Sequence, residues 1–313
     1  MQFRVGHATI TKIPELSLEV FRPIDLLPQE DPERVQQLAS ALPDDDVDHA
    51  NGILRLSIHC WLVRTPDRVI LIDTGTGNGK DRPTIPVLNQ LNVPFIERLK
   101  AEEISPNDVT DILVTHIHAD HVGWNTQLER GEWRPTFPRA KHYLSKLEID
   151  YNAALAGGDE TKVASIVADA GHGAPLHPPA PGVYEDSVAP IIKAGLATAI
   201  NADGSEPVPG FRYIKTPGHS IDHASIMFEH GGEKAFFWGD VAHHPVQLAA
   251  DSCSWNSGFC EFPNAARSSR RKALDLAADT GALVFTTHFA GTSVGRVRRD
   301  GDRYVWQSVK GES

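Results

Sequence analysis

The stretch VTHIHADHVG, from Val114 to Gly123, places four metal-capable side chains within six positions: His116, His118, Asp120 and His121. It follows directly on a short apolar segment with strand character. Buried histidine and aspartate side chains are costly unless a partner satisfies them, and a metal ion does so. The alternative is a chance histidine-rich loop, which would be polar and solvated. The stretch favours a metal site and provides enough ligands to begin two.

The spacing of these residues suits two neighbouring ions. Residues two apart in an extended segment point to the same side, so His116 and His118 can converge on one ion. The chain then turns, and Asp120 and His121 are directed from the start of a short helix toward a second position. Imidazole and carboxylate ligands favour zinc, with manganese, cobalt and iron as alternatives.

Three later positions extend this pattern. His219 lies in the tight turn TPGHS, Asp240 ends the apolar run FFWGD, and His288 ends the run VFTTH. Polar residues at the mouths of apolar strands are typical of functional sites. Taken singly, each is compatible with a capping aspartate or a satisfied surface histidine. Together with the first cluster they predict one shared metal centre.

The composition restricts the class of protein. The chain has 313 residues, 41% hydrophobic composition and a formal net charge of −11. This balance argues against a nucleic-acid binder or an anionic-membrane binder. The three cysteines, Cys60, Cys253 and Cys260, form no disulfide framework, and a reduced Cys253–Cys260 pair is favoured over a bridge. With no secretory signal and no long apolar run, we expect a cytoplasmic protein that does not engage membranes.

The order of predicted elements indicates one α/β domain over residues 1–313. Strands followed by helices occur twice, which favours two packed sheets with helices outside. We expect an N-terminal extension over about residues 1–52. Residues from about 156 to 201 are rich in glycine, proline and helical segments, and are predicted to form a helical and loop insert.

A further landmark is Asp73, in the run LIDTG. With it, the chain resembles the metallo-β-lactamase superfamily over about residues 53–295, and the superfamily's motifs occur in order. The resemblance implies a four-layer αβ/βα sandwich with two metal ions between the sheets. Asp73 would not bind metal directly but would hydrogen-bond within the site and orient the ligands.

The resemblance also implies how the ligands divide between the two ions. One ion would take His116, His118 and His219, the other would take Asp120, His121 and His288, and Asp240 would bridge the two. Two cations about 3.5–4 Å apart can hold a hydroxide between them at neutral pH. Asp120 would hold this hydroxide and pass its proton to the leaving group.

Within the superfamily, the residues at several positions make the chain most similar to the lactonase and methyl-parathion-hydrolase-like group. The best-known zinc β-lactamases carry cysteine where Asp240 stands. After His288 only 25 residues remain, too few for the helical domain of glyoxalase II-type thioesterases. His243 occupies the position three residues after Asp240, where quorum-sensing lactonases carry tyrosine and phosphotriesterase-like members carry histidine. We expect His243 to assist the leaving group; the alternative is a surface histidine.

Four aromatic residues close to the ligands in sequence are predicted to line a substrate pocket: Trp124, Trp255, Phe259 and Phe289. They favour a small, aromatic ester or lactone as substrate. An organophosphate triester is the alternative substrate, and a non-catalytic, metal-stabilised binding protein is the alternative of another class. Analogy with the group also suggests a homodimer.

Overall fold

The structure is a computed structural model that describes residues 1–249, 254–301 and 303–311. Cys253 lies outside these ranges, so the expected reduced Cys253–Cys260 pair involves a residue that is not described. Cys60 and Cys260 are free and buried. Within the described residues, no helix combines the length and apolar character needed to cross a membrane.

The strands follow the apolar runs of the sequence. In chain order they are β1 (Gln2–Val5), β2 (Ala8–Phe21), β3 (Val47–Asp48), β4 (Ile53–Arg64), β5 (Val69–Ile72), β6 (Asp111–Leu113), β7 (Thr126–Glu129), β8 (Glu132–Pro135), β9 (Lys141–Ser145), β10 (Ala197–Ile200), β11 (Phe211–Lys215), β12 (Ala224–His230), β13 (Glu233–Phe237), β14 (Leu283–Phe285), β15 (Val294–Asp300) and β16 (Arg303–Ser308).

The helices connect these strands. They are α1 (Pro23–Leu26), α2 (Pro32–Ala39), α3 (Phe95–Ala101), α4 (Ala119–Val122), α5 (Lys146–Ala156), α6 (Glu160–Ala170), α7 (Ala189–Lys193), α8 (Val246–Ala249) and α9 (Pro263–Thr280), with 3-10 turns at Pro86–Leu88 and Gly123–Asn125 and a π-helical turn at Tyr184–Val188.

Two large sheets organise the described part of the chain. The first has eight strands in the order β1-β2-β4-β5-β6-β9-β10, with β3 added beside β4. The second has six strands, β11 to β16, in chain order. The parallel pairs β5–β6, β6–β9 and β9–β10 lie in the first sheet, and β13–β14 lies in the second.

Strand β4 shows why the sheets stack with helices outside. It is buried on both faces, and successive side chains of a strand point to opposite faces. Trp61 and Val63 enter the core between the two sheets, where they meet residues such as Phe237 and Phe285 of the second sheet. Cys60 and Leu62 enter a separate core on the outer face, which α3 helps to cover. Helix α9 packs on the outer face of the second sheet. The predicted αβ/βα sandwich is confirmed.

Both segments predicted to lie outside the family core contribute strands to the first sheet. In the N-terminal segment, β2 pairs with β4 from Thr9 to Phe21, with two register shifts along its length. The segment 156–201 contains helices α6 and α7 and ends in β10, which pairs in parallel with β9. The sequence analysis did not anticipate this strand, because its run Ala197–Ile200 is short and half exposed.

Candidate metal centre

The predicted ligands come together at one edge of the sandwich, because each follows the end of a strand. His116 and His118 follow β6, and Asp120 and His121 lie on α4, which begins directly after His118. From the second sheet, the remaining ligands follow β11, β13 and β14: His219, Asp240 and His288. The two sheets thus deliver ligands from opposite sides.

Asp240 lies at the middle of this cluster and is buried. Its Oδ2 lies 3.0 Å from Nε2 of His219 and 3.1 Å from Nε2 of His288. Its Oδ1 lies 3.2 Å from Nε2 of His121. The Oδ2 atom also lies 3.9 Å from Nε2 of His116. One carboxylate therefore faces imidazoles from both predicted ligand sets.

The side chains separate into groups that can each hold an ion. Ligand atoms within 4.8 Å of one another define a group of His116, His118 and His219 and a second group of Asp120, His121 and His288. These are the two sets that the resemblance implies. A third group of the same kind joins Asp240 to His116 and His121. The bridging arrangement expected for Asp240 is compatible with these positions.

Unsatisfied polar atoms test whether metal ions fit this cluster. Nε2 of His116, Nε2 of His121 and Oδ1 of Asp240 are buried and form no hydrogen bond within the described part of the chain. A buried polar atom without a partner costs about 1–3 kcal/mol. Divalent cations would satisfy all three atoms, and a mixed histidine and carboxylate donor set suits zinc. The residues present fit two ions.

The outer nitrogens of the imidazoles have partners that fix the direction of each ring. Nδ1 of His121 donates to Oδ2 of Asp73 at 2.9 Å, and Nδ1 of His288 donates to the Ser57 carbonyl at 3.1 Å. These bonds leave Nε2 facing the centre. His118 has the opposite orientation, with Nδ1 lying 2.9 Å from Nε2 of His219.

Asp73 hydrogen-bonds to the segment that carries the histidines. Its backbone has φ of 57°, a left-handed conformation that is uncommon for a residue with a side chain. Its carboxylate accepts hydrogen bonds from the backbone N–H and the hydroxyl of Thr115, both at 2.8 Å, besides the one from His121. Asp73 therefore connects the loop after β5 to the segment that carries the histidines.

The charges of the cluster are strongly coupled. Although burial opposes it, the carboxylates of Asp240, Asp120 and Asp73 raise the pKa of His121 well above its usual value. Against the same effect of burial, the surrounding imidazoles, beginning with His121, hold the pKa of Asp240 well below its usual range. Burial lowers the pKa of His116 well below its ordinary value. A neutral imidazole is the form that binds metal.

His243 lies against the cluster as well. Its Nε2 is 3.1 Å from Oδ2 of Asp240, and its ring stacks on that of His288 at 5.2 Å. Both ring nitrogens are buried without a hydrogen-bond partner among the described residues. The surface alternative for His243 is wrong, because the residue is 3% exposed.

A cavity of about 660 Å³ opens onto the cluster. Its floor includes Asp120, Asp240 and His243. Its walls are largely aliphatic and come from three segments: the end of β2 with Leu18, the region of the first 3-10 turn with Ile85, and the loop Pro178–Ala180. Small molecules bind in concave, mainly apolar sites with a few placed polar groups, which is the character of this cavity.

Of the four aromatic residues expected to line a substrate pocket, Phe259 lies on the cavity and the other three lie elsewhere. Phe259 lines the cavity and is 38% exposed. Trp124 points away, stacks on Phe95 and donates its indole N–H to Glu15 at 2.6 Å. Trp255 packs in the core beneath α1 and α2. Phe289 contacts Trp238 in the core under α9. Closeness to the ligands in sequence did not predict where these side chains point, because each ring packs against its own neighbours in the fold.

Two buried glutamates next to the cluster were missed by the sequence analysis. Glu261 accepts a hydrogen bond from Nε2 of His118 at 2.9 Å. Glu148 accepts from the backbone N–H of Ile117, between two ligands, and from that of Asp222. Burial and the neighbouring Glu261 raise the pKa of Glu148 to about 7. No local sequence pattern marks either residue, because their partners are distant in the chain.

Comparison with known families gives one match that covers most of the chain. The family model described as "Metallo-beta-lactamase superfamily" matches residues 53–288. This range contains Asp73 and all seven of the predicted metal ligands.

Comparison with curated proteins gives more distant relatives. The chain is 29% identical over 88 residues to N-acyl homoserine lactonase AiiB of Agrobacterium fabrum, which is 24% of this chain and 30% of that protein. It is 24% identical over 189 residues to an N-acyl homoserine lactonase of Bacillus thuringiensis, which is 56% of this chain and 60% of that protein. The chain therefore spans between 30% and 60% of the length of these relatives.

Solved structures share the fold over the whole chain. The hydrolase AbOPH of the β-lactamase superfamily superposes with a TM-score of 0.78 at 22% identity, covering 100% of this chain and 98% of that one. AidC, described as a dizinc quorum-quenching lactonase in complex with a product, superposes with a TM-score of 0.74 at 20% identity, covering 100% and 97%.

Proposed function

The chain belongs to the metallo-β-lactamase superfamily, and on that premise we propose that it is a hydrolase that binds two divalent metal ions, zinc above all. We propose that it cleaves a carboxylic ester or opens a lactone. The observation that carries the proposal is the position of Asp240 between two groups of ligand atoms, at the floor of an open cavity.

When bound, two such ions polarise a carbonyl oxygen and lower the pKa of water enough for it to act as a nucleophile at neutral pH. Asp120 lies at the cavity edge, with Oδ2 3.6 Å from Nε2 of His288. Its carboxylate would accept the proton of the attacking water and return it to the leaving oxygen. His243 faces the same space and would donate a hydrogen bond to that oxygen.

The apolar character of the cavity walls favours an uncharged, apolar substrate. Apart from His177, the ionisable residues that line it belong to the cluster at its floor. Phe21 and Phe259 contact each other edge to face at 5.7 Å on the lining and would accommodate an aromatic group. The lactonase activity named for AiiB, the Bacillus thuringiensis relative and AidC supports a lactone among the candidates.

An organophosphate triester is the second candidate substrate. His243 favours it, because phosphotriesterase-like members of the superfamily carry histidine three residues after the bridging aspartate. A non-catalytic binding protein is the alternative of another class. The open cavity disfavours it, since metal ions that only stabilise a fold are fully enclosed by protein ligands.

A hydrolysis panel with metal-loaded protein tests the proposal. The substrates are aliphatic and aromatic lactones, an aryl ester, a phosphotriester, a thioester and a β-lactam, and the control is the same protein after metal removal. We expect the highest kcat/KM for a lactone or ester, and loss of activity on metal removal. Preference for the thioester or the β-lactam would contradict the substrate class. Absence of turnover with two ions bound would favour the binding protein.

A further inference from the structure

Glu261 is a buried carboxylate that contacts a predicted ligand from the side away from the cavity. Its side chain is 1% exposed, and its Oε1 accepts the hydrogen bond from Nε2 of His118. We propose that Glu261 is a positioning residue that fixes the ring of His118 with Nδ1 directed at one ion. This inference rests on the proposed metal centre.

The geometry excludes Glu261 itself as a ligand. Its carboxylate contacts Nε2 of His118, whereas Nδ1 on the other side of the ring faces Nε2 of His219. None of the ligand groups found among the described residues includes Glu261. The carboxylate therefore acts through His118.

The backbone of Glu261 is held firmly enough for this role. Its N–H donates to the carbonyl of His219 at 3.0 Å, and its carbonyl accepts from the N–H of Leu176 at 2.7 Å. The next residue, Phe262, donates to the carbonyl of Gly218 at 2.8 Å. The segment that carries Glu261 is thus fastened to the turn of a second ligand of the same ion and to the chain beside the cavity wall.

The negative charge of Glu261 connects its contact with His118 to a bound metal ion. Its Oε2 is buried and has no hydrogen-bond partner within the described residues. A buried carboxylate without a compensating charge is costly. A divalent cation bound by Nδ1 of His118 would supply that compensation, and the carboxylate would in turn make the ring a better electron donor. The outer nitrogens of the other predicted histidine ligands contact a hydroxyl, a carbonyl, a thiol or, for His121, the carboxylate of Asp73. Glu261 is the negatively charged partner of His118.

Zinc titration against a chelating indicator tests the proposal on the wild type, Glu261→Gln and the control Asp111→Asn. Asp111 is also buried and pairs with Arg68, but it lies at the far end of β6 from the ligands. Removing a partner of this kind weakens metal affinity by about 10- to 100-fold. We expect Glu261→Gln to lose affinity for one of the two ions by that factor, and Asp111→Asn to bind both as the wild type does.

The outcomes separate this inference from the proposed function. If the wild type fails to bind two ions, the metal centre itself is wrong. If the wild type binds two ions and Glu261→Gln binds both with unchanged affinity, only the role of Glu261 is overturned.

A measurement on the wild type covers the case in which Glu261→Gln does not fold. In zinc-loaded protein with ¹⁵N-labelled histidine, we expect His118 to carry its proton on Nε2, with a far-downfield and slowly exchanging signal. A rapidly exchanging proton there, or a proton on Nδ1, would contradict the hydrogen bond to Glu261.

Discussion

The carbonyl of Thr76 occupies the space that a side chain on Gly123 would need, since a Cβ there would lie 1.7 Å from that oxygen. This contact packs the loop after β5 against the turn that follows the histidine cluster. Two backbone hydrogen bonds accompany it, from Gly123 to the Gly75 carbonyl at 2.7 Å and from Trp124 to the Thr74 carbonyl at 2.9 Å. The loop that positions Asp73 and the turn that presents His121 therefore form one unit.

Replacing Gly123 with alanine should separate these two segments. The added methyl group would overlap a backbone carbonyl that cannot move away, and we expect the free energy of unfolding to fall by about 3 kcal/mol or more. Urea denaturation measures this loss. Zinc binding should weaken as well. Gly157→Ala is the control, because Gly157 also has helical φ and its nearest contact would be 3.3 Å, which a shift of a few tenths of an ångström relieves. Equal stability of the two variants would show that the close approach is unimportant.

Asp120→Asn should remove the proposed proton acceptor while keeping a side chain of the same shape. The residue lines the cavity and is not fully buried, so the fold should survive. We expect kcat for the best substrate of the panel to fall by about 10²- to 10⁴-fold, the usual contribution of a positioned acid or base. Asp150→Asn, at an exposed pair with Lys146, should leave kcat unchanged. Full activity of Asp120→Asn would refute its role.

Val87→Trp should narrow the cavity without touching the ligands. Val87 lies on the wall in the 3-10 turn Pro86–Leu88. We expect kcat/KM for a bulky apolar ester to fall by about tenfold, a loss of roughly 1.4 kcal/mol in transition-state binding, and a methyl ester to be affected less. Leu128→Trp, at a residue 54% exposed and away from this cavity, is the matched control. Parallel losses for both esters would argue against the wall as a substrate site.

Lys80 should make stability depend on pH above neutrality. Burial, reinforced by Arg82 and partly offset by Asp186, lowers the pKa of Lys80 to about 7. The pKa of a lysine in the unfolded chain is about 10.4. Between these values the unfolded chain binds the extra proton, so the free energy of unfolding contributed by Lys80 increases as pH rises from 7 toward 10.

Urea denaturation of the wild type and Lys80→Met across that range measures this effect. The variant retains the two-point pair of Arg82 with Asp186, at 2.8 and 2.7 Å. We expect the stability of the wild type relative to the variant to increase with pH. A constant difference would mean that Lys80 keeps its proton in the folded state, where its Nζ lies 3.6 Å from the centre of the Trp133 ring.

The sequence predicted those features that depend on neighbouring residues. His219 was recognisable in a tight turn shortly after a strand, and Asp240 at the end of the apolar run FFWGD. Most of the strands themselves were visible as apolar runs. The two-sheet arrangement followed from their order.

Features that depend on distant residues were not predictable in this way. The partner of Trp124 is Glu15, which is 109 positions away in the chain, and the partner of His118 is Glu261, which is 143 positions away. The cavity walls likewise combine Leu18 with the loop around Pro179. Packing selects such contacts among many that the sequence alone permits.

The most direct test of the central claim is anomalous X-ray diffraction from crystals of the zinc-loaded protein. We expect two zinc peaks about 3.5–4 Å apart. One should lie among His116, His118 and His219, the other among Asp120, His121 and His288, with Asp240 in contact with both. A single peak, or zinc bound away from Asp240, would contradict it.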